Sequence, residues 1–297
     1  MKLENIELSF DNFASEMSKL KNQKHFDYLV TIIGEDFGEE GLGCIYILEN
    51  TDNNERCSVR TIAKKVDGSD VIPTVVELWK AAELLEREVY DFVGIKFLGH
   101  PDMRRLFLRT DFNGYPLRED FDMSPEANQF PLTDEPESDF TVEYSLDADG
   151  HLVATKKRLF DDEDFVVNIG PNHPSTHGVL RLQTVLDGEK VKRIYPHLGY
   201  IHRGIEKMWE GMTYPQTLAL TDRLNYLSAM MHRHALVGVI EEGMGIELSD
   251  RIHYIRTIMD ELQRIDSHLL YLGCTAQDLG ALTAFLYCMR DREHVLN

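Results

Sequence analysis

The feature that most constrains this fold is an acidic, proline-containing stretch at 122–164. Three prolines interrupt it, and the run at 134–139 is dominated by Asp and Glu. Proline breaks regular ladders and dense charge opposes burial, so such a stretch is typical of a linker. The sequence therefore predicts a first domain at 1–121, a linker at 122–164 and a second domain at 165–297.

The first part has mixed periodicity, which indicates an α/β domain. The predicted elements are a helix at 9–22 opened by Ser9 or Asp11, strands at 26–34, 43–49 and 57–65, and a helix at 76–93. Two further short strands are expected inside the linker, at 141–145 and 152–159.

The second part begins with strand patterns and then turns helical. The predicted strands cover 165–169, 179–186 and 191–195, and the predicted helices cover 205–212, 215–243 with a break near Asp222, 250–272 with a cap at Ser249 or Asp250, and 279–296. The predicted fold class is α+β: an N-terminal α/β domain, an acidic linker, then a small β-sheet followed by an incomplete bundle of long helices.

Composition excludes several classes of function. The 31 basic and 51 acidic residues give a net charge of −20, which argues against nucleic-acid binding. The four cysteines form no C-x-x-C pair, so no metal or cluster site is predicted in this chain. No apolar stretch reaches the length of a membrane span and the N-terminus lacks an apolar signal core, so any membrane role is expected to be peripheral.

The most informative motif is Asn-Ile-Gly-Pro-Asn-His-Pro-Ser-Thr-His-Gly-Val-Leu-Arg-Leu at 168–182. His173 and His177 lie four residues apart where Pro and Gly oppose a helix. A loop histidine is usually a solvent-facing or capping residue. A polar loop before a strand can nevertheless present imidazoles to a ligand, and imidazole exchanges protons near pH 7.

Other polar residues have ordinary structural interpretations. Tyr226, in Asp-Arg-Leu-Asn-Tyr at 222–226, sits in the first turn of a long apolar helix, where a tyrosine is more often part of the core. Asp278 can cap a helix beginning at 279. Asp260, Arg264 and His268 lie four apart on one helix face, alongside Glu261, and indicate an i,i+4 ion-pair face.

Two motif sets resemble subunits of respiratory complex I, the NADH–quinone oxidoreductase. Glu-Arg-Glu-Val-Tyr-Asp at 86–91, the stretch through Arg104 and Arg105, and Gly-Tyr-Pro-Leu-Arg-Glu-Asp at 114–120 are similar to the 30 kDa-type (C) subunit. The histidine loop, Pro-His-Leu-Gly-Tyr-Ile-His-Arg-Gly at 196–204 and the 222–226 motif resemble the 49 kDa-type (D) subunit. The resemblance implies a C/D fusion whose D part stops early, as in a fragment or a truncated product.

The resemblance also implies roles for single residues. His177 and Tyr226 would be catalytic and would hold the quinone headgroup together with His173, and Asp278 would be a catalytic partner of His177. Arg203 and Arg223 would lie near an iron–sulfur cluster of a neighbouring subunit. The chain has Asn225 where the family typically has Asp, and Thr275 where it often has His. In the C-type part, Arg104, Arg105 and Arg118 are expected to be structural or docking residues.

The implied activity is electron transfer from that neighbouring cluster to quinone, as one subunit of an NADH:quinone oxidoreductase. Quinone is the substrate, while NADH and the clusters would be bound by partner subunits. The expected partners are the other peripheral-arm subunits, including the one with the terminal cluster, and indirectly the membrane arm. The expected location is the cytoplasmic side of the cell inner membrane.

Two alternatives remain open from the sequence. One is a non-catalytic scaffold fragment that only docks neighbouring subunits. The other is a membrane-bound nickel–iron hydrogenase large subunit, which needs thiolate ligands with a first C-x-x-C pair near 223–231. This chain has Arg-Leu-Asn-Tyr-Leu-Ser-Ala-Met-Met at those positions, which makes the hydrogenase the weaker alternative.

Overall fold

The computed structural model describes residues 4–124 and 140–297. The chain divides into two compact units, 1–203 and 204–297. The acidic run at 134–139 and the linker prolines lie outside the described residues. The predicted domain boundaries after 121 and after 164 stay a prediction.

The first unit opens with a four-stranded sheet of order β1-β4-β3-β2, in which only the β1–β4 pair is parallel. Its elements are β1 (Glu4–Leu8), α1 (Phe10–Asn22), β2 (Tyr28–Asp36), β3 (Leu42–Asn50) and β4 (Glu55–Ile62). Alternate residues of β3 and β4 are buried, as a half-covered sheet requires. Ser9 is the N-cap of α1, one of the two positions expected.

A second sheet has the order β5-β6-β7-β8-β9. Its elements are β5 (Lys64–Val66), β6 (Ser69–Pro73), α2 (Ala82–Val93), β7 (Lys96–Leu98), β8 (Phe140–Leu146) and β9 (Leu152–Arg158). The strand pair expected inside the linker is therefore present, and β8 joins the sheet through the Leu98–Tyr144 pair. Residues after 139 thus complete a sheet that began at residue 64.

The helix predicted at 76–93 is shorter in the structure, where it begins at Ala82. Two buried contacts keep the preceding residues, 76–81, in turns and out of the helix. The Glu86 carboxylate accepts the N–H of Val75 at 2.8 Å, and Trp79 Nε1 donates to the Phe26 carbonyl at 3.2 Å. The core of this unit is formed mainly by α1, α2 and the inner faces of β2, β3 and β4.

A third sheet of order β10-β11-β12 completes the first unit, with antiparallel pairing throughout. Its strands are β10 (Phe165–Ile169), β11 (Arg181–Asp187) and β12 (Lys190–His197). The predicted strand at 165–169 is confirmed to the residue. The predicted hairpin turn is also confirmed, since Gly188 has a φ of +61° just after β11.

The second unit is helical. Its helices are α3 (Ile205–Glu210), α4 (Tyr214–Thr221), α5 (Ala229–Met244), α6 (Asp250–Asp278) and α7 (Leu282–Leu296). The break expected near Asp222 is confirmed. The predicted end of α6 at 272 is wrong, because Gly273 lies inside the helix at its packing contact with α7. A Cβ on Gly273 would be 3.2 Å from Cys288 Cβ and from the Phe285 ring.

The order of elements confirms the predicted α+β class, with sheets in the first unit and helices in the second. Within the described residues, no helix is both long enough and apolar enough to cross a membrane.

Candidate functional site

The histidine loop connects β10 to β11 and is closed at its base. Asn172 and Val179 form an isolated antiparallel bridge above the last pair of the sheet. Gly170 has a φ of +94°, and a Cβ at this position would lie 1.9 Å from the Leu180 carbonyl oxygen. Only glycine therefore allows the two arms of the loop to come this close.

The tip of the loop is a single 3-10 turn, Pro174–Thr176. The Thr176 hydroxyl lies 2.7 Å from the His173 carbonyl and 2.9 Å from the Gly178 carbonyl. Both histidines are exposed, and His177 has a φ of +50°. A residue other than glycine seldom adopts this left-handed conformation, which costs on the order of 1 kcal/mol. The predicted loop position of both histidines is confirmed.

Arg203 ends a segment that is held against α2 and the loop after β7 by ring stacking. The His202 ring lies 5.1 Å from the Phe92 ring and 5.7 Å from the Phe107 ring. Gly199 makes this approach possible, because a Cβ there would lie 2.1 Å from the Phe107 carbonyl oxygen. The Arg203 side chain itself is exposed.

Tyr226 lies in the turn between α4 and α5, and its side chain is 72% exposed. The expectation that it starts a long helix is wrong, because the chain leaves helical geometry from 222 to 228. Local contacts shape this turn: Arg223 Nη1 donates to the Ala219 carbonyl, and Asp222 pairs with Arg233 of α5. Arg223 and Tyr226 thus share one exposed turn.

Asp278 is the last residue of α6, and its side chain is exposed. The interpretation of Asp278 as the N-cap of a helix beginning at 279 is wrong. The next helix begins at Leu282 with Ala281 at its N-cap, because α6 continues through Gly273.

Polar contacts at regular intervals join α6 to α5 and to the turn that precedes α5. Arg256 contacts Glu241 at 2.7 Å, and Asp260 contacts His234 at 2.5 Å. Gln263 contacts the Leu227 carbonyl at 3.0 Å. The spacing of four and three residues on α6 matches one helix face. The predicted ion-pair face of α6 is confirmed in part: Arg264 pairs with Glu261, at a spacing of three residues and not four, whereas Asp260 pairs with His234 of α5.

Buried ionisable groups concentrate at 70–102 in the first unit. Asp91 and Glu86 are fully buried, and Arg104 and Arg105 pair with Asp102 and Asp91 at 2.6 and 2.9 Å. Arg118 Nε donates to the Val93 carbonyl at 2.6 Å. These contacts are intramolecular, so the three arginines have structural roles, which was one of the two roles expected.

Two groups in this region have shifted protonation equilibria. Burial raises the pKa of Glu86 to about 8, although hydrogen bonds from Thr74 and Val75 oppose the shift. Burial also lowers the pKa of His100 to about 4. Because the Asp102 N–H donates to His100 Nδ1 at 3.0 Å, the proton of the neutral ring lies on Nε2, 2.9 Å from the Glu83 carbonyl.

The predicted site residues fall into two groups. His173, His177 and Arg203 belong to the first unit, while Arg223, Tyr226 and Asp278 belong to the second. The sequence reasoning missed Gln263, whose amide contacts the turn that carries Tyr226. Its signal was present in the polar positions 256, 260 and 263, which repeat at helical spacing. Among the described residues, no group of three His, Cys, Asp or Glu side chains could hold a metal ion.

Comparisons with known proteins identify both parts of the chain. Residues 6–127 match the family described as respiratory-chain NADH dehydrogenase, 30 Kd subunit. A protein of Phocaeicola vulgatus, named as the C/D subunit of NADH-quinone oxidoreductase, is 53% identical over 99% of this chain and 56% of its own length. A protein of Bacteroides fragilis with the same name is 52% identical over 95% of this chain and 55% of its own length.

A more distant relative, one of two C/D subunits of NADH-quinone oxidoreductase in Aquifex aeolicus, is 40% identical over 98% of this chain and 51% of its own length. The chain therefore spans about half the length of the curated relatives that it matches. The similarity extends through the histidine loop and the helices, well beyond the region matched by the 30 kDa family. The chain thus belongs to the family of C/D subunits of NADH-quinone oxidoreductase.

Proposed function

We propose that this chain is part of a peripheral-arm subunit of an NADH–quinone oxidoreductase and forms part of its quinone headgroup site. The observation that carries the proposal is 53% identity, over 99% of the chain, to a protein whose name states that activity. The loop geometry supports it further. The bridge between Asn172 and Val179 and the obligatory Gly170 close the base of the loop, so that its exposed tip presents both histidines.

In the proposed reaction, quinone accepts two electrons and two protons to give quinol. The electrons arrive from a cluster held by a neighbouring subunit, and NADH is oxidised elsewhere in the complex. His177 and Tyr226 donate hydrogen bonds and then protons to the two quinone oxygens, because both are weak acids with a transferable proton. His173 contributes to headgroup binding.

We assign the remaining residues roles that follow from their charge. Asp278 takes part in the charge change that follows proton donation, since a nearby carboxylate favours the protonated imidazole that must be regenerated. Arg203 and Arg223 face the neighbouring cluster, where a permanent positive charge favours the reduced state. The partners are the other peripheral-arm subunits, on the cytoplasmic side of the inner membrane.

The test is Tyr226→Phe in the native gene, assayed in membranes. Removing the phenolic hydroxyl should lower NADH–quinone activity about 100-fold and leave NADH–ferricyanide activity unchanged, because ferricyanide takes electrons upstream of the site. Tyr254→Phe is a matched control, since Tyr254 on α6 is 71% exposed and has no assigned role.

Unchanged quinone reduction in Tyr226→Phe would remove Tyr226 from the site. Loss of the ferricyanide activity together with the quinone activity would indicate a defect in assembly. Failure of the unaltered chain to bind quinone, with docking to the other peripheral-arm subunits retained, would favour the alternative in which this chain only docks neighbouring subunits.

A further inference from the structure

Tyr226 has little packing of its own. With 72% of the residue exposed, its position is set by the backbone of the turn at 222–228. This turn contacts α6 through the Leu227 carbonyl, one residue after Tyr226, which accepts a hydrogen bond from Gln263 Nε2 at 3.0 Å. The orientation of Gln263 therefore bears directly on where Tyr226 is presented.

The Gln263 amide is itself fixed by a second contact. Its Nε2 also donates to Asp266 Oδ2 at 3.3 Å, one helical turn further along α6. The two N–H groups of the amide thus have two oxygen acceptors, a carbonyl and a carboxylate. A flipped amide would direct its own oxygen at both acceptors, so only one orientation satisfies the contacts.

Asp266 extends the chain of contacts to α7. It is only 3% exposed, and its carboxylate forms an ion pair with Arg292, with 2.9 Å between Arg292 Nε and Asp266 Oδ1. Arg292 Nη2 donates to the other carboxylate oxygen at 3.2 Å. The Nε–Oδ1 contact is an ion pair without hydrogen-bond geometry, so Nη2 supplies the hydrogen bond of the pair. The pair restrains the carboxylate that the Gln263 amide contacts, because moving it would leave a buried charge without its partner.

We propose that Gln263 is a positioning residue for Tyr226, and that the Asp266–Arg292 ion pair holds Gln263 in its donating orientation. The contacts run from α7 through α6 to the turn. The proposal rests on the proposed function, in which Tyr226 contacts the quinone. The claim that Gln263 restrains the turn at 222–228 can be tested without quinone.

The first measurement is amide hydrogen exchange of the full chain. Gln263→Met removes both donors while keeping a side chain of similar length, so exchange of the peptide covering 222–228 should rise about fivefold or more. Arg264→Met is the matched control, because Arg264 is the next residue on α6 and forms only a surface pair with Glu261. Gln263→Lys restores N–H donors for both oxygens and should return exchange to the wild-type rate.

The second measurement is activity in the assembled complex. Gln263→Met should lower kcat/KM for quinone about tenfold and leave NADH–ferricyanide activity unchanged, because a displaced catalytic group loses rate without loss of assembly. Gln263→Lys should recover most of the quinone activity. A residue needed only for folding would not show this separation of the two activities.

The proposal is overturned if exchange at 222–228 in Gln263→Met equals that of the wild type. It is also overturned if exchange rises equally over all of α5 and α6, since Gln263 would then support the helices in general. If Gln263→Met has wild-type quinone activity while Tyr226→Phe is inactive, the positioning role of Gln263 is refuted and the proposed function is kept. Full quinone activity in Tyr226→Phe would remove Tyr226 from the proposed quinone site and leave the exchange result standing.

Discussion

Asp91 and Arg105 form a buried ion pair, with 2.9 Å between Asp91 Oδ1 and Arg105 Nη1. The other carboxylate oxygen of Asp91 accepts the backbone N–H groups of three successive residues, 106–108, at 2.7 to 3.1 Å. A single side chain at the end of α2 therefore organises the loop that follows β7, against which the ring of His202 stacks.

Arg105→Met should destabilise the chain by about 3 kcal/mol, because it leaves the buried Asp91 carboxylate without its charged partner. Urea unfolding at pH 7 measures this change. Arg56→Met is the control, since Arg56 pairs with Glu49 at the surface and should cost less than about 1 kcal/mol. Equal losses in the two variants would contradict the role assigned to Asp91.

Glu86 should make the stability of the chain fall as pH rises. Burial raises its pKa in the folded state to about 8, well above the ordinary value of 4.5. Between these values the folded state holds a proton that the unfolded state has released, so each pH unit in this window lowers the free energy of unfolding by about 1.4 kcal/mol.

Glu86→Gln mimics the protonated side chain and should remove this dependence. The wild type should lose about 4 kcal/mol more than Glu86→Gln between pH 5 and pH 8.5, as measured by urea unfolding at both values. Parallel pH profiles for the two proteins would show that Glu86 ionises normally in the fold.

His100 should produce the opposite dependence in acid. Its pKa falls to about 4 on burial, below the ordinary value of 6.5, so the unfolded state takes up a proton that the folded state refuses. Stability is therefore full above pH 6.5 and is lost progressively toward pH 4.

His100→Gln keeps a donor for the Glu83 carbonyl and an acceptor for the Asp102 N–H, but it cannot be protonated. From pH 7 to pH 4.5, the wild type should lose about 2 kcal/mol more than this variant, which thermal unfolding at the two pH values would measure. A variant that is as acid-sensitive as the wild type would place the acid sensitivity in other groups.

Gly170→Ala should disturb the histidine loop. The added Cβ would clash with the Leu180 carbonyl oxygen at 1.9 Å, and φ of +94° is unfavourable for alanine. We expect a local cost of about 2 kcal/mol or more, faster amide exchange across 170–180 and a lower ratio of quinone to ferricyanide activity.

Gly188→Ala separates the effect of the positive φ from the effect of the close approach to another backbone atom. Gly188 also has positive φ, at +61°, but a Cβ there meets nothing within 4 Å. This variant should cost about 1 kcal/mol and leave the activity ratio unchanged. Equal effects of the two substitutions would mean that the close approach at Gly170 is unimportant.

Local patterns were sufficient for elements whose periodicity is set by near neighbours. The strand Phe165–Ile169 was predicted to the residue, and α1 and β9 within one residue or so. The end of α6 could not be predicted, because Gly273 is a helix breaker by propensity and is retained by its packing against α7. The joining of β8 to β7 likewise depends on a pairing across more than forty residues.

In the candidate site too, local features could be predicted from the sequence and long-range contacts could not. The loop setting of His173 and His177 follows from local Pro and Gly chemistry, and the structure confirms it. The contact of Gln263 with Leu227 could not be predicted, since it joins two segments that are far apart in the sequence. The pairing of Asp260 with His234 of α5 was missed for that reason, because the i,i+4 rule considers one helix alone.

The most direct test of the account is purification of the native protein through a tag on its chromosomal gene, from gently solubilised membranes. The account predicts that NADH–quinone oxidoreductase activity and the cluster-bearing subunits elute with the tagged chain. Recovery of the chain without them, with that activity left entirely in the unbound fraction, would contradict its assignment as a working subunit of the enzyme.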